Sequence, residues 1–474
     1  MRGFKKSCLI IITQLFFLIC YALPPMALCE DWVALRGNME GRASIKYDGQ
    51  GELREWHYIY KSGRRYKMGL AVWASPALTV VGGRPMAFIG GYDQTMHALD
   101  LIDKRVVWRK ITNGEIATAP AICKVDGLDV VFWASTDRTV YAYAAFSGRQ
   151  LWTKELVPPS TTLGDVHISS PFLSGDRLYI ACFAYDKSIA RNQQKGWLYC
   201  LNMKHGDIVW KKPVTSGILT SPVGFLKDNR LHIIIAARKG LVQCLDVSDQ
   251  IPKHVWSFQM PHEVFGSPVI TAGTTPPLMF LGSKYGNLIA VDAWQGKEVW
   301  QKMAGNWIDN TACIGEIDDE KVVYVGSHDY FLYAFKAENG DLLWKRALGG
   351  EVYSAPCFFN QGDRALVAAA SLNNHLYIVD ARNGDIVTSY FTGRPIWDKV
   401  AKGDTLWGSP VAIEAGEETA LIHGSFNDVV YLLPVAKECS LRAMARSAGT
   451  LWWGLLVVLI IFGGIVLPII IKYL

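Results

Sequence analysis

The stretch FLGSKYGNLIAVDAWQGKEVWQK, residues 280–302, decides the fold. FLGS (280–283) is compact and apolar, and KYGN (284–287) supplies turn residues. LIAVD (288–292) alternates as a half-buried strand does, and AWQGK (293–297) is a second turn with Gly296 where positive φ is needed. The next strand closes on Trp300, and Ser267-Pro268-Val269-Ile270 upstream gives one more. Four strands in about 44 residues match one propeller blade.

The unit recurs along most of the chain. Its closing tryptophan returns as Trp108, Trp152, Trp210, Trp256, Trp300 and Trp344. Blade openings carry Pro76, Pro120, Pro171, Pro222, Pro268, Pro356 and Pro410, with Ala312 replacing proline in the sixth. The third strand recurs as MHALD (96–100), VYAYA (140–144), LYCLN (198–202), VQCLD (242–246), LIAVD (288–292), LYAFK (332–336), LYIVD (376–380) and VYLLP (430–434). Strands at this period without intervening helices predict an all-β, eight-bladed propeller with four-stranded antiparallel blades. The openings number eight, but only seven closing strands follow them, and the seventh has Val387 where tryptophan is expected. The missing strand is upstream, in GELREWHYIYKSG (51–63), centred on Trp56. Pairing this N-terminal strand with the last blade closes the ring without an exposed edge. Each repeated tryptophan then wedges between neighbouring sheets, burying roughly 150–250 Å².

The Gly-x-x-x-Trp closing pattern, the Tyr-Ala-Leu-Asp-like third strand and RGNMEG (36–41) resemble the pyrroloquinoline-quinone-like (PQQ-like) repeat family, over about residues 31–435. That family includes quinoprotein alcohol dehydrogenases. It also includes non-catalytic propellers similar to the B-subunit lipoprotein of the outer-membrane β-barrel assembly machine. The dehydrogenase branch implies an adjacent-cysteine disulfide at the cofactor, long inserted loops and a calcium held by acidic and amide side chains. This chain has no adjacent cysteine pair, its blades are close to minimal, and no position takes the catalytic aspartate by motif. The resemblance therefore implies the non-catalytic branch, with no catalytic, cofactor-binding or metal residue. The alternative is a PQQ-dependent quinoprotein dehydrogenase. Nucleophile-elbow, zincin, phosphate-loop and calcium-loop motifs are absent, and His262-Glu263 reads as a solvated pair on a connection.

Composition agrees with one large ring. The chain has 474 residues, 50% hydrophobic, with 17 Trp and 43 Gly. Its formal charge of +5 includes Arg2, Lys5 and Lys6, so no global basic field argues for nucleic acid. Residues 1–29 read as a secretory signal peptide, with Cys8 to Leu23 as the apolar run and Ala27-Leu28-Cys29 as the cleavage region. The seven later cysteines show no regular spacing, and Cys200 and Cys244 fall in the column of Ala98 and Ala290, as small buried hydrophobes.

Connection lengths single out one end of the ring. Five run twelve residues from closing Trp to the next opening. The 152 to 171 (19), 387 to 410 (23) and 56 to 76 (20) connections are longer, as is the hairpin between Cys182 and Leu198. In an antiparallel blade these four insertions leave from one end, over blades seven, eight, one, two and three. Repeat proteins place insertions on the face they use. The partner-binding candidates are Lys61, Arg64, Arg65, Lys67, Trp73, Lys187, Arg191, Arg394, Trp397 and Trp407, because Arg and Trp are typical interface anchors. The blade-closing tryptophans, Trp56 included, are structural.

Residues 450–471 are an uncharged apolar run of 22, long enough to span a bilayer as a helix. The expected organisation is a signal peptide (1–29), the propeller (30–436), a juxtamembrane linker (437–449), a transmembrane helix (450–471) and a short tail (472–474). Together these predict a monomeric ring, membrane-anchored and exported to face the periplasm from the bacterial inner membrane. It would act as a protein-binding scaffold in cell-envelope assembly, with a protein partner whose identity the sequence leaves open.

Overall fold

The computed structural model describes residues 44–46, 56–59, 75–157, 163–188, 196–214, 217, 220–392, 408–415, 418–424 and 429–435. Eight antiparallel sheets follow one another, and the first strands of neighbouring blades touch around a common axis. Blade 5 shows the plan, with Val269–Ile270, Leu278–Gly282, Asn287–Asp292 and Lys297–Met303 running from the axis outward. Every first strand follows a blade-to-blade connection. That connection and the second-to-third turn therefore share one end of the ring, the insertion face. The other two turns share the opposite end, the turn face.

The repeat motif acts between blades. Trp300 is nearly buried and its Nε1–H donates to Ala337 O of blade 6 at 2.8 Å. Its ring lies on Gly340 of that blade, where an added Cβ would come within 2.7 Å of the indole. Trp108, Trp152, Trp256 and Trp344 dock likewise, donating to Ala145, Met203, Ala293 and Ala381 over Gly148, Gly206, Gly296 and Gly384. The glycine of Gly-x-x-x-Trp thus receives the preceding blade's tryptophan, and no side chain fits there. Trp210 departs from this, because the facing turn of blade 4 has no glycine. It is only half-buried and packs on Tyr179, 5.9 Å between centroids.

The seam closes as expected. We label Ser44–Lys46 β1 and Trp56–Ile59 β2. Strand β2 is the outer strand of blade 8, antiparallel to Val429–Val435, with Trp56 opposite Leu432 as Trp300 is opposite Ala290. Strand β1 was not foreseen. It runs parallel to Val411–Ala415 on the axis side and touches the first strands of blades 7 and 1. One continuous core joins blades 7, 8 and 1 and reaches blade 2, so the seam is packed like an interior joint.

One register needs correction. In blade 7 the tryptophan column is held by Thr388, opposite Ile378, and not by Val387. The register shifts just beyond this column in each blade of the Gly-x-x-x pattern. Val387 is the bulged residue, as Val299 is in blade 5. The described cysteines are free and buried, and burial pushes the thiols of Cys182, Cys200 and Cys244 up to about 12, so they are inert fillers. Among the described residues no helix is long and apolar enough to cross a membrane, and residues 450–471 lie outside them.

Candidate functional site

The residue before each blade opening sits where the chain enters the axis, and where it is Ser or Thr its hydroxyl links blades. Ala119 N–H donates to Ser170 Oγ at 3.0 Å, Ser170 N–H to Ser221 Oγ at 3.1 Å, and Ser221 N–H to Ser267 Oγ at 2.9 Å. Ser267 N–H donates to Thr311 Oγ1 at 3.0 Å, and Ala355 N–H to Ser409 Oγ at 3.1 Å. Each bond spans one blade, so serine in the repeated Ser-Pro satisfies a buried backbone donor of its neighbour. The ring surrounds a polar cavity of about 250 Å³ at the axis on the insertion face, which also reaches Asp309, Asn310 and Tyr353.

Blade 3 rises above this mouth. Its second strand, Arg177–Asp186, continues four residues past Cys182, roughly 13 Å at 3.3 Å per residue. Leu163–Ile168 pairs with that extension, so part of the 153–170 insertion is a strand. Two of the four expected insertions thereby build one raised hairpin. Lys187 stands exposed at its end.

A second feature lies over blades 4 to 6 and the connection into blade 7. His328 Nε2 is 2.8 Å from Asp309 Oδ1, and the His328 ring lies on Tyr353, 3.9 Å between centroids. Trp307 packs against His328 at 5.6 Å, and Lys284 Nζ sits 4.6 Å from the centre of its ring. Lys284 also pairs with Glu263 at 3.6 Å, and Arg238 reaches that carboxylate at 3.9 Å. His262 meets Tyr285 edge-on at 4.8 Å. Burial, with Asp309 and Glu351 nearby, pushes the Tyr353 phenol up to about 12, so it remains a neutral donor. Tyr285 and Tyr330 project from adjacent blades, 57% and 51% exposed, on backbones with φ of 74° and 76°. Gln94, Arg138 and Asn374, the equivalents of Tyr330 in blades 1, 2 and 7, have the same left-handed backbone, so this φ belongs to the repeated second-to-third turn. The crescent can stack on flat or apolar groups while its rim supplies paired charges. Sequence reading missed it, because its members come from three blade-to-blade connections and three second-to-third turns, each ordinary alone.

Of the expected partner-binding residues, the structure describes only Lys187. Lys61, Arg64, Arg65, Lys67, Trp73, Arg191, Arg394, Trp397 and Trp407 lie outside the described residues. The strands flanking their segments all end on the insertion face. His262-Glu263, expected to be a solvated pair, is tied into the crescent through Tyr285, Lys284 and Arg238.

Pyrroloquinoline quinone carries three carboxylates, and a site for it needs cations. Among the described residues the axial cavity offers hydroxyls, Asn310, Tyr353 and the acid Asp309, and no lysine or arginine lines it. Among the described residues no group of three His, Cys, Asp or Glu is placed to hold a metal. These residues do not fit the quinone and its calcium.

The sequence matches none of the curated proteins. Among solved structures, BamB from Moraxella catarrhalis is 16% identical, with a TM-score of 0.51 over 80% of this chain and 95% of that one. The quinohemoprotein alcohol dehydrogenase of Comamonas testosteroni is 11% identical, with a TM-score of 0.62 over 86% and 81%. Sqt1 of Saccharomyces cerevisiae is 10% identical, with a TM-score of 0.59 over 82% and 100%. At these identities the likeness is one of fold, shared by enzymes and non-enzymes. The family profile described as outer membrane protein assembly factor BamB matches residues 66–192, 137–306 and 284–453, most of the chain, and the chain belongs to this PQQ-like propeller family.

Proposed function

We propose that the protein is a non-catalytic scaffold of cell-envelope protein assembly that binds a protein partner on its insertion face. The carrying observation is that the three longest blade-to-blade connections and the longest hairpin lie on one end of the ring, while among the described residues no loop on the other end exceeds the seven residues 271–277. Membership in the BamB family supports the assembly role. In this reading residues 1–29 export the propeller (30–436), and residues 450–471 hold it in the inner membrane with the ring on the periplasmic side. The basic residues Lys61, Arg64, Arg65, Lys67, Lys187, Arg191 and Arg394 steer an acidic protein segment, and Trp73, Trp397 and Trp407 hold it. Rim charges set encounter rate, and buried aromatics set residence time.

The test is co-purification from mild detergent of Arg64→Glu/Arg65→Glu and of Trp397→Ala, against the turn-face reversals Lys297→Glu and Arg149→Glu. Loss confined to the insertion-face variants is expected. Equal loss on both faces, or loss on the turn face alone, sinks the assignment. Dye-linked alcohol oxidation by the propeller reconstituted with pyrroloquinoline quinone and calcium would instead restore the dehydrogenase reading.

A further inference from the structure

The strand directions fix where each end of the chain leaves the ring. Every first strand runs from the insertion face to the turn face, and β1 is parallel to the first strand of blade 8. Residues preceding Ser44 therefore enter from the insertion face. The last described strand, Val429–Val435, is a third strand and also runs toward the turn face. Its final carbonyl is held there, because Gln361 of blade 7, in the turn between the first two strands, donates from Nε2 to Val435 O at 2.9 Å. Gln361 is 4% exposed, so this exit point is part of the packed ring.

From Val435 to the apolar run at 450 there are only the 14 residues 436–449. Random-coil statistics give any 14 residues an end-to-end distance of roughly 20 Å. A blade of six-residue strands is itself roughly 20 Å tall. The linker is thus about as long as the ring is thick, too short to carry the bilayer round the rim and over the other face without near-full extension. We propose that the turn face is the membrane-facing side of this protein, with the lipid surface as its neighbour. The insertion face, with the axial cavity, the raised hairpin of blade 3 and the aromatic crescent, then points away from the bilayer. The inference rests on the anchor reading of residues 450–471 and adds the direction in which the anchor holds the ring. The partner surface becomes the distal one, free to receive a chain from the exported compartment.

The full chain in vesicles of phosphatidylcholine and phosphatidylglycerol tests this. Single exposed lysines are replaced with cysteine on each face, Lys297→Cys on the turn face and Lys239→Cys on the insertion face, with Cys8, Cys20, Cys29 and Cys439 replaced by serine in both. The described native cysteines are buried and do not compete for label. Energy transfer from each dye to a headgroup-labelled lipid acceptor reports proximity. With the faces separated by roughly 20 Å or more, transfer from position 297 should exceed that from 239 about threefold. Equal transfer in a membrane-bound chain overturns the orientation and leaves the anchor intact. Greater transfer from 239 overturns it in favour of tethering through the residues that precede Ser44. A full chain washed from the vesicles by alkaline carbonate overturns the anchor and the orientation together.

Discussion

Blade 5 and blade 8 have the same strand order, but blade 5 is built from one segment and blade 8 from two ends of the chain. Blade 5 closes through a local turn at Gly296, so its four strands form with little loop-closure entropy. Blade 8 takes its outer strand from β2, more than 350 residues before the strand it pairs with, Val429–Val435. It also carries β1 on its inner edge, which no other blade has. The blades differ at one buried column as well. Blade 5 has Leu281, whereas blade 8 has His423, whose two ring nitrogens find no hydrogen-bond partner. The seam is thus where this ring depends on distant chain ends and on a protonation state. Blade 5 depends on neither.

Removing residues 44–59 should have the largest effect. Blade 8 loses both N-terminal strands, the ring opens, and cooperative thermal unfolding of the propeller should disappear. A truncated chain that melts like the intact one would show that the seam contributes nothing beyond the blade 5 pattern.

Within blade 5, Trp300→Ala removes a buried indole and the bond to Ala337 O, and should cost about 3–5 kcal/mol in chemical denaturation. A loss below about 1 kcal/mol would mean that the repeated tryptophans do not carry the joints between blades.

Acid should separate the two blades next. Burial holds the His423 pKa at about 3, against 6.5 for a free side chain. The unfolded chain therefore takes up its proton first as pH falls. Stability is full above about 6.5 and declines through the window down to about 3, by about 1.4 kcal/mol per pH unit. His423→Leu, which copies blade 5, should flatten that slope between pH 6 and 4. An unchanged slope would place the acid sensitivity elsewhere.

The smallest effect is expected at the axis. Ser267→Ala leaves the buried Ser221 N–H without its acceptor and should cost about 1–2 kcal/mol, with the ring intact. Rescue by threonine, which Thr311 already provides at the equivalent position, would confirm that the hydroxyl is what matters.

Much of this architecture was legible because a propeller repeats local grammar. Turn glycines and alternating strands recur from blade to blade, Gly-x-x-x-Trp closes blades 2, 3, 5 and 6, and counting openings against closings exposed the missing strand at Trp56. What stayed illegible involves pairs of blades. The tryptophan column of blade 7 fell one residue from its apparent place, because a bulge moves register without altering composition. Strand β1 has three residues and no pattern of its own. The serine before most opening prolines was visible as a repeat, but its acceptor role appears only when the neighbouring blade's opening lies beside it. The crescent of Trp307, His328 and Tyr353 is more extreme, since nothing in any one connection predicts the other two.

The sequence by itself determined the blade, the number of blades and the closure, because these follow from hydrogen-bond partners and apolar periodicity within about 40 residues. Only the tertiary structure decided which turn glycine receives which tryptophan, which hydroxyl caps which amide, and where the chain ends leave the ring. Those are contacts between surfaces presented by separate sheets. Their energy depends on how the blades pack and not on the order in which residues are joined.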